Sequence, residues 1–429
     1  MKDTRPLIAT IKNTLQAIER LGFTTRIFEN PIAGIAPVML ATRDEGAEHT
    51  ILGYGHGDVV RGQEGQWTKG AGPWITAREG DRLYGRGTAD NKAQHTINLA
   101  AMEAVLEARG QLGFNAKFII EMAEEAGSGG LREIMAANRE AFAADVLIAS
   151  DGPRVRPDRP TLSLGARGAA NFDLVCALRE GGHHSGNWGG ALADPAMILA
   201  QALASICGPD GRILVEGWEA PPMTPAIKVA LAEITLDPGP DGPALDPEWG
   251  TPGLTSAERV YGSNSFAVLA MSSGNIKAPV NAIQPRAQAH CQLRFVAGTD
   301  AGSILPNLRR HLDRHGFDRV LIGEDAEPGF AASRTEPDDP WVEVVRSSMT
   351  ATLGAAPAII PQMGGSICND LFTDLMGIPA IWSPHSYSGC SQHAPDEHIL
   401  MSVTETALDI MAGLYWDLGE MELPIGTDR

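Results

Sequence analysis

Leu7, Ile8, Ile11, Leu15 and Ile18 recur at three- and four-residue intervals, the spacing that lines one face of a helix, and predict a helix over 5–21. The pattern then changes to short apolar runs, "PVMLATR" and "TILGYGH", which read as buried strands. A loop rich in Gly and Trp covers 61–88, and "NKAQHTINLAAMEAVLEARG" returns to the helical period. Strand "NAKFIIEMA", helix "GGLREIMAANREAF" and strand "ADVLIASD" follow. Strands alternating with helices predict an α/β fold, a mostly parallel sheet flanked by helices. Ligand sites on such sheets sit at the carboxyl ends of strands. Three of those ends carry acids or imidazole here: "GYGHGD", "EMAEE" and "IASD".

From 166 to 333 the order differs. Strand "NFDLVCALR" and helix "PAMILAQALASI" precede a Pro- and Gly-rich stretch (208–254). Strands "SFAVLAMSS" and "AQAHCQLRFV", helix "ILPNLRRHLDRHG" and strand "FDRVLIG" complete it. This two-layer α+β pattern predicts a second domain, 166–333, inserted into a first made of 1–165 and 334–429. The last segment holds helix "DPWVEVVRSSMTATLG", turn "MGGSICND", strand "IPAIWSP", loop "HSYSGCSQHAPDEH" and a final helix over 400–418.

Charge narrows the partners. The formal charge is −19, and there is no basic run, which disfavours nucleic acid and anionic membranes. No apolar run approaches the ~20 residues that span a bilayer, and the N-terminus lacks the apolar core of a signal peptide. Five cysteines without a CxxC fit reduced thiols, so the expected compartment is the cytoplasm.

His56, Asp58, Asp90, Glu124, Glu125, Asp151 and His393 all fall at predicted strand ends or adjoining loops. Any one of them alone reads as a cap or a solvated charge. Converging carboxylates, however, repel one another and resist desolvation unless cations neutralise them. A mix of imidazole nitrogens with carboxylate oxygens suits zinc, manganese or cobalt. Asp58 lies two residues after His56, on the same strand face, and can accept a hydrogen bond from the ring nitrogen that does not ligate. Successive side chains of an extended Glu124–Glu125 pair would point opposite ways, one to metal and one to substrate. Asp90 stands in a Gly-rich turn at the mouth of a helix, where its two oxygens could bridge two ions.

In this order, "GHGDVV", "YGRGTADNK", "EMAEEAGSGG", "IASDGP" and "SQHAPDEHI" resemble the motifs of a dinuclear metallopeptidase family. That family contains carnosinases and related dipeptidases, glutamate carboxypeptidase, aminoacylase, acetylornithine deacetylase and succinyl-diaminopimelate desuccinylase. The resemblance covers essentially the whole chain. It implies a zinc-peptidase-like catalytic domain with an inserted lid that usually dimerises. It implies two divalent ions, Zn2+ first and Mn2+ or Co2+ as alternatives. His56, Asp90 and Asp151 would hold one ion, and Asp90, Glu125 and His393 the other. Glu124 matches the general base, Asp58 the residue that orients His56, and Asp90–Asn91 a peptide that is cis. Two departures bear on the subfamily: Gly57 stands where bulkier residues are common, and "DVV" runs into Arg61 where proline often follows.

The segment "GGHHSGNWGG" resembles the dipeptidase branch, in which a lid histidine serves the neighbouring subunit's site. His184 is the candidate, and His183 the weaker one. The resemblance also implies substrate-carboxylate contacts from Arg294 and Asn281, and Ser366 in "GGSICND" lies in a turn suited to an anion. Trp188, Trp382 and Tyr387 are candidates for a pocket wall, as is the loop 62–74. Neither a dinucleotide or P-loop motif nor GxSxG is present, and Cys368 and Cys390 read as buried small residues. The expected reaction is hydrolysis of a small dipeptide or a C-terminal amino acid. The alternatives are an N-acyl amino acid deacylase and a silent binding protein that keeps the fold.

Overall fold

The computed structural model describes residues 15–237, 243–323 and 330–424. Residues 15–20 are helical, while the earlier part of the expected first helix lies outside the described residues. The chain divides into two compact units. One comprises Met1–Ala166, Thr224–Ala244 and Arg334–Arg429, the other Arg167–Met223 and Leu245–Ser333. This is a finer division than one contiguous insertion, because the helix Pro225–Ala232 packs near the strand Ala358–Ile360 of the first unit.

The first unit is built on an eight-stranded sheet. Its order across the sheet is Thr24–Phe28, Val38–Arg43, Asn115–Glu121, Thr50–His56, Val146–Ala149, Ala380–Trp382, Thr161–Ser163 and Ala358–Ile360. The four central strands run parallel. Thr24–Phe28 and Val38–Arg43 add antiparallel at one edge, and Thr161–Ser163 meets Trp382 antiparallel. The short strands Thr24–Phe28, Thr161–Ser163 and Ala358–Ile360 have too few residues for a clear alternation and escape the sequence pattern.

Register places the chemistry. Thr50–His56 pairs in parallel with Asn115–Glu121 so that His56 lies opposite Glu121. Both strands therefore end at one level, and the residues that follow emerge side by side. The core below is apolar, with Ile51, Phe118, Ile120, Val146 and Ile148 buried in one cluster. Gly53 leaves room for the Phe118 ring, which a Cβ would meet at 2.4 Å. Gly55 does the same for His95, at 2.5 Å.

The helix Lys92–Arg109 buries Ile97, Ala101, Met102 and Val105 and packs beside the final helix Met401–Leu418. It ends at Gly110, whose φ of 80° lets its N–H reach the Leu106 carbonyl. The segment expected as one helix at 129–142 is two, Leu131–Ala137 and Arg139–Phe142. Asn138 interrupts it with φ −131°, and its side chain donates instead to the Ile134 carbonyl. Among the described residues no helix is long and apolar enough to cross a membrane.

The second unit has a four-stranded antiparallel sheet ordered Ser265–Ser272, Arg286–Phe295, Gly168–Ala177, Leu321–Ile322. Alternation in Arg286–Phe295 buries Ala287, Ala289, Cys291, Leu293 and Phe295. That face shares a core with Leu199, Ala202 and Ile206 of one helix and Leu308 and Leu312 of another.

Candidate metal centre

His56 is the last residue of its strand and fully buried. The N–H of Gly57 bonds to the Glu121 carbonyl at 2.9 Å, which carries the chain on toward the neighbouring strand end. Asp58 then folds back under the imidazole. His56 Nδ1 lies 3.3 Å from the Asp58 carbonyl and 3.4 Å from its carboxylate. A proton on Nδ1 is thereby satisfied, and Nε2 is aimed at Asp90 Oδ1 (3.0 Å) and Asp151 Oδ2 (3.5 Å). On the other side of Asp90, His393 Nε2 stands 3.1 Å from Asp90 Oδ2 and 3.0 Å from Glu125 Oε2. Two groups result, His56–Asp90–Asp151 and Asp90–Glu125–His393, each with its ligand atoms within 4.8 Å of one another. Asp90 belongs to both, one oxygen to each.

Glu124 and Glu125 occupy a helical turn, Glu124–Ala126, and not a continuation of the strand. The turn, and not strand alternation, separates the two carboxylates. Glu125 reaches His393, while Glu124 Oε2 approaches no closer than 3.9 Å to His56 Nε2 and joins neither group.

The electrostatics favour a cation in each group. Burial alone would lower the His56 pKa, yet contacts with Asp151, Asp58 and Asp90 raise it well above the imidazole range. Hydrogen bonds to Asp90 and Glu125 push His393 up to about 10. Burial works against the charge of Asp90, but the two histidines hold its carboxyl far below the usual range. Burial, with Asp90, raises Asp151 against the pull of His56. Glu124 is raised well above the carboxylate range, first by burial and then by Asp151, Asp90 and Glu121 against the pull of His56. Protons thus stand where a divalent ion would do the same service. Glu125 Oε1 is buried without a hydrogen-bond partner, an acceptor ready for a cation. The donor set, imidazole nitrogen with carboxylate oxygen, fits a divalent transition metal or zinc.

Several supports were not legible in the sequence. Glu397, wholly buried, accepts the backbone N–H of Gly87 (3.0 Å), Ala89 (2.9 Å) and Asp90 (3.1 Å), and pairs with Arg86 at 2.6 Å. It thereby holds the turn that presents Asp90. Its position four residues after His393, in "HAPDEH", is the only local hint. Asn91 accepts from His56 N (3.3 Å) and donates to the Ser150 carbonyl (2.8 Å), and the Asp90–Asn91 peptide is cis. Asp58 Oδ2 also accepts from Glu125 N at 3.1 Å, so one carboxylate touches both the His56 ring and the acidic turn. Glu121 takes hydroxyl hydrogen bonds from Tyr54 (2.7 Å) and Ser128 (2.8 Å) beneath that turn.

Replacing Glu397 by Ala strands Arg86, whose side chain is 1% exposed, as a buried charge without its carboxylate. The expected cost is about 3–5 kcal/mol of stability, measured by urea unfolding. A loss below about 1 kcal/mol would contradict this account of the turn.

Beneath the centre His385 is buried, its Nε2 3.0 Å from Asn98 Oδ1 and 2.8 Å from Ser150 Oγ. Burial, aided by Arg154, holds it at about 3, against about 6.5 for an unfolded histidine. The unfolded chain therefore binds this proton first on acidification. The stability is fully present above pH 6.5 and is lost as pH falls toward 3, at up to about 1.4 kcal/mol per unit. Urea unfolding of His385→Asn between pH 7 and 5 is expected to show a shallower dependence than wild type by up to one proton.

The other candidate residues are spread over both units. Ser366 is half-buried in the first unit, in the turn before the buried Ile367 and Cys368. Trp382 is no pocket wall: its ring is buried against Tyr54 and Phe372, and its N–H donates to Asn369 Oδ1 at 2.8 Å. Tyr387 is half-buried and bonds to His398 Nε2 at 2.7 Å. Cys368 and Cys390 are buried free thiols. In the second unit, His183 and His184 pair with Ala282–Ile283, and Ser185 N bonds to the Asn281 carbonyl at 2.9 Å, so His184 and Asn281 are neighbours. Both are exposed, whereas Arg294 is half-buried and donates to Gln292 Oε1 at 2.9 Å. Trp188 is exposed and meets the His183 ring edge-on.

Comparison with known proteins gives this arrangement a context. A cysteinylglycine-S-conjugate dipeptidase of Corynebacterium striatum is 29% identical over 363 residues, 82% of this chain and 76% of that protein. A human beta-Ala-His dipeptidase is 34% identical over 187 residues, 43% of this chain and 36% of that protein. Among solved structures, the M20 family metallo-carboxypeptidase Sso-CP2 of Sulfolobus solfataricus matches with a TM-score of 0.80 at 24% identity, covering 95% of this chain and 94% of that one. Human carnosine dipeptidase 1 matches with a TM-score of 0.78 at 22% identity, covering 97% and 92%. At these identities the structures speak to the fold. A family model described as peptidase family M20/M25/M40 matches residues 52–417. Since that match runs from the strand ending in His56 almost to the end of the last helix, the chain belongs to peptidase family M20/M25/M40.

Proposed function

We propose that the protein hydrolyses the peptide bond of small dipeptides that end in a free carboxylate, with two divalent ions, Zn2+ first, at His56–Asp90–Asp151 and Asp90–Glu125–His393. As a member of its family it is a metal-dependent hydrolase of peptide C–N bonds. The observation that carries the two-ion reading is Asp90, whose oxygens face two different histidine-containing groups.

Ions bound there would supply Lewis acidity and lower the pKa of a water molecule. The chain's own residues do the rest. Asp58 fixes the tautomer and aim of His56. Glu124, buried beside both groups but part of neither, removes a proton from the attacking water and delivers it to the leaving amine. Its burial disfavours a permanent charge, which suits a group that must take up a proton and give it back. We assign the second unit as the lid, with His184 as donor to the tetrahedral oxyanion, in trans from a partner copy, and with Arg294 and Asn281 for the substrate carboxylate. Ser366 is assigned to the same anion from the Gly-rich turn.

A homodimer through the lid is supported by the edge strand Ser265–Ser272, where Val268, Leu269 and Met271 are exposed on a margin that no further strand pairs among the described residues. Sedimentation is expected to give twice the 45.5 kDa chain mass, and Leu269→Lys to shift it toward monomer. Unchanged sedimentation of that variant would count against this edge. The five free thiols support a cytoplasmic location.

The N-acyl amino acid deacylase reading uses the same centre and differs only in the acyl group. A panel of dipeptides and N-acyl amino acids, assayed with Zn2+, Mn2+ or Co2+ after chelation, separates the two. Turnover confined to dipeptides is expected. Turnover confined to N-acyl amino acids would replace this reading with the other.

A further inference from the structure

The segment that carries His393 has a backbone that ordinary residues seldom adopt. Ser391, His393 and Asp396, none of them glycine, have φ of 58°, 59° and 64°. Left-handed positions of this kind cost about 1–3 kcal/mol each and persist only where the surroundings over-determine them. Packing does not aim the ring, since the His393 side chain is 59% exposed. The backbone conformation does so together with the Asp90 and Glu125 carboxylates, at 3.1 and 3.0 Å from the ring nitrogen.

The loop 62–69 grips that segment at two residues, His393 and Asp396. Gln63 Nε2 donates to the His393 carbonyl at 3.0 Å. The Asp396 carboxylate accepts three hydrogen bonds: Thr68 N to Oδ1 (2.7 Å), Thr68 Oγ1 to Oδ2 (2.7 Å) and Lys69 N to Oδ1 (2.9 Å). From the inner side Arg86 Nη2 donates to the Ala394 carbonyl at 2.9 Å, His398 Nδ1 lies 2.9 Å from the Asp396 carbonyl, and Gln392 Nε2 donates to Asp90 Oδ2 at 3.1 Å. The loop is stiffened in turn by its own tryptophans. Trp67 Nε1 bonds to the Gly62 carbonyl (2.7 Å), Trp74 Nε1 to Glu64 Oε1 (2.9 Å), and the Arg86 guanidinium lies 5.6 Å from the Trp67 ring.

We propose that Asp396 is a positioning residue: by clamping the loop 62–69 to the His393 segment it makes that loop and the Asp90–Glu125–His393 group one cooperative unit, so that an ion in this group orders the loop. The inference rests on the two-ion reading above. Its logic is reciprocal. If the clamped loop holds His393 in ligating position, filling the group must stabilise the clamp by the same factor. The loop 62–69 is then fully ordered only when an ion fills the Asp90–Glu125–His393 group.

The test compares metal-free wild type, Asp396→Ala and the milder Thr68→Val by calorimetric titration with Zn2+, with hydrogen exchange followed over 62–74. Wild type is expected to bind two equivalents, and the amides of Thr68 and Lys69 to slow as the second binds. Asp396→Ala is expected to keep the first equivalent, to bind the second about 10–100-fold more weakly, and to lose the exchange response. Thr68→Val should fall between, and Asp396→Asn, which retains one carbonyl acceptor, should restore part of the affinity. Wild-type affinity for both equivalents in Asp396→Ala, or an equal loss of both with a lowered melting temperature, would overturn the clamp. A wild-type protein binding a single equivalent would overturn the two-ion reading instead. The clamp would then stand or fall on whether metal still slows exchange over 62–69 in wild type but not in Asp396→Ala.

Discussion

Glu124→Gln is expected to lower kcat by about 10²–10⁴-fold while metal content and KM stay near wild type. The substitution keeps the size of the side chain and removes only its ability to take and return a proton. Glu124 stands outside both ligand groups, its nearest approach to the His56 Nε2 being 3.9 Å. Its carboxyl is also the one that burial and the surrounding acids push well above the ordinary range. A ligand, by contrast, would take metal with it when replaced. The decisive measurement is kcat alongside metal content on the same preparation. Full activity in Glu124→Gln would sink the assignment, and loss of metal in parallel with activity would recast Glu124 as a ligand.

Asp90→Ala is expected to abolish turnover and to weaken both metal positions together, because each group loses an oxygen from the same side chain. Asp151→Ala and His393→Ala should each weaken one position only. The contrast can be read without any substrate. An ion that binds the native state at 100 times its Kd stabilises it by about 2.7 kcal/mol. Wild type should therefore melt higher on adding Zn2+ to the metal-free protein, the two single-group variants should keep part of that shift, and Asp90→Ala should keep almost none. If Asp90→Ala retained the full shift, or lost no more than His393→Ala, Asp90 would not be shared.

The fold was largely open to reading from periodicity. The 3.6-residue pattern of Ile97, Ala101, Met102 and Val105 marks a helix whatever surrounds it. The apolar run at Ile51–Tyr54 could hardly be anything but a buried strand. What periodicity missed was short or locally contrary. Thr161–Ser163 and Ala358–Ile360 gain their strand character from pairing with each other, a long-range partnership no local window contains. Glu124 and Glu125 were expected on an extended chain, and a helical turn took its place because the strand stops at Glu121, level with His56.

For the site the division is sharper. Residue types and their spacing announce the inventory: imidazole and carboxylate two apart at a strand end, paired glutamates after another, an aspartate in a Gly-rich turn, all in the order its family uses. Those are properties of neighbours along the chain, and residue type with spacing suffices for them. Folding alone brings it about that Asp90 divides its oxygens between His56 and His393, that Glu397 grips the turn beneath it, and that Asp396 ties a loop more than three hundred positions away to the His393 segment. The reason is electrostatic. A buried carboxylate is tolerable only where donors or cations from elsewhere in the fold surround it, so its role is written in the groups that converge on it and not in the residues beside it.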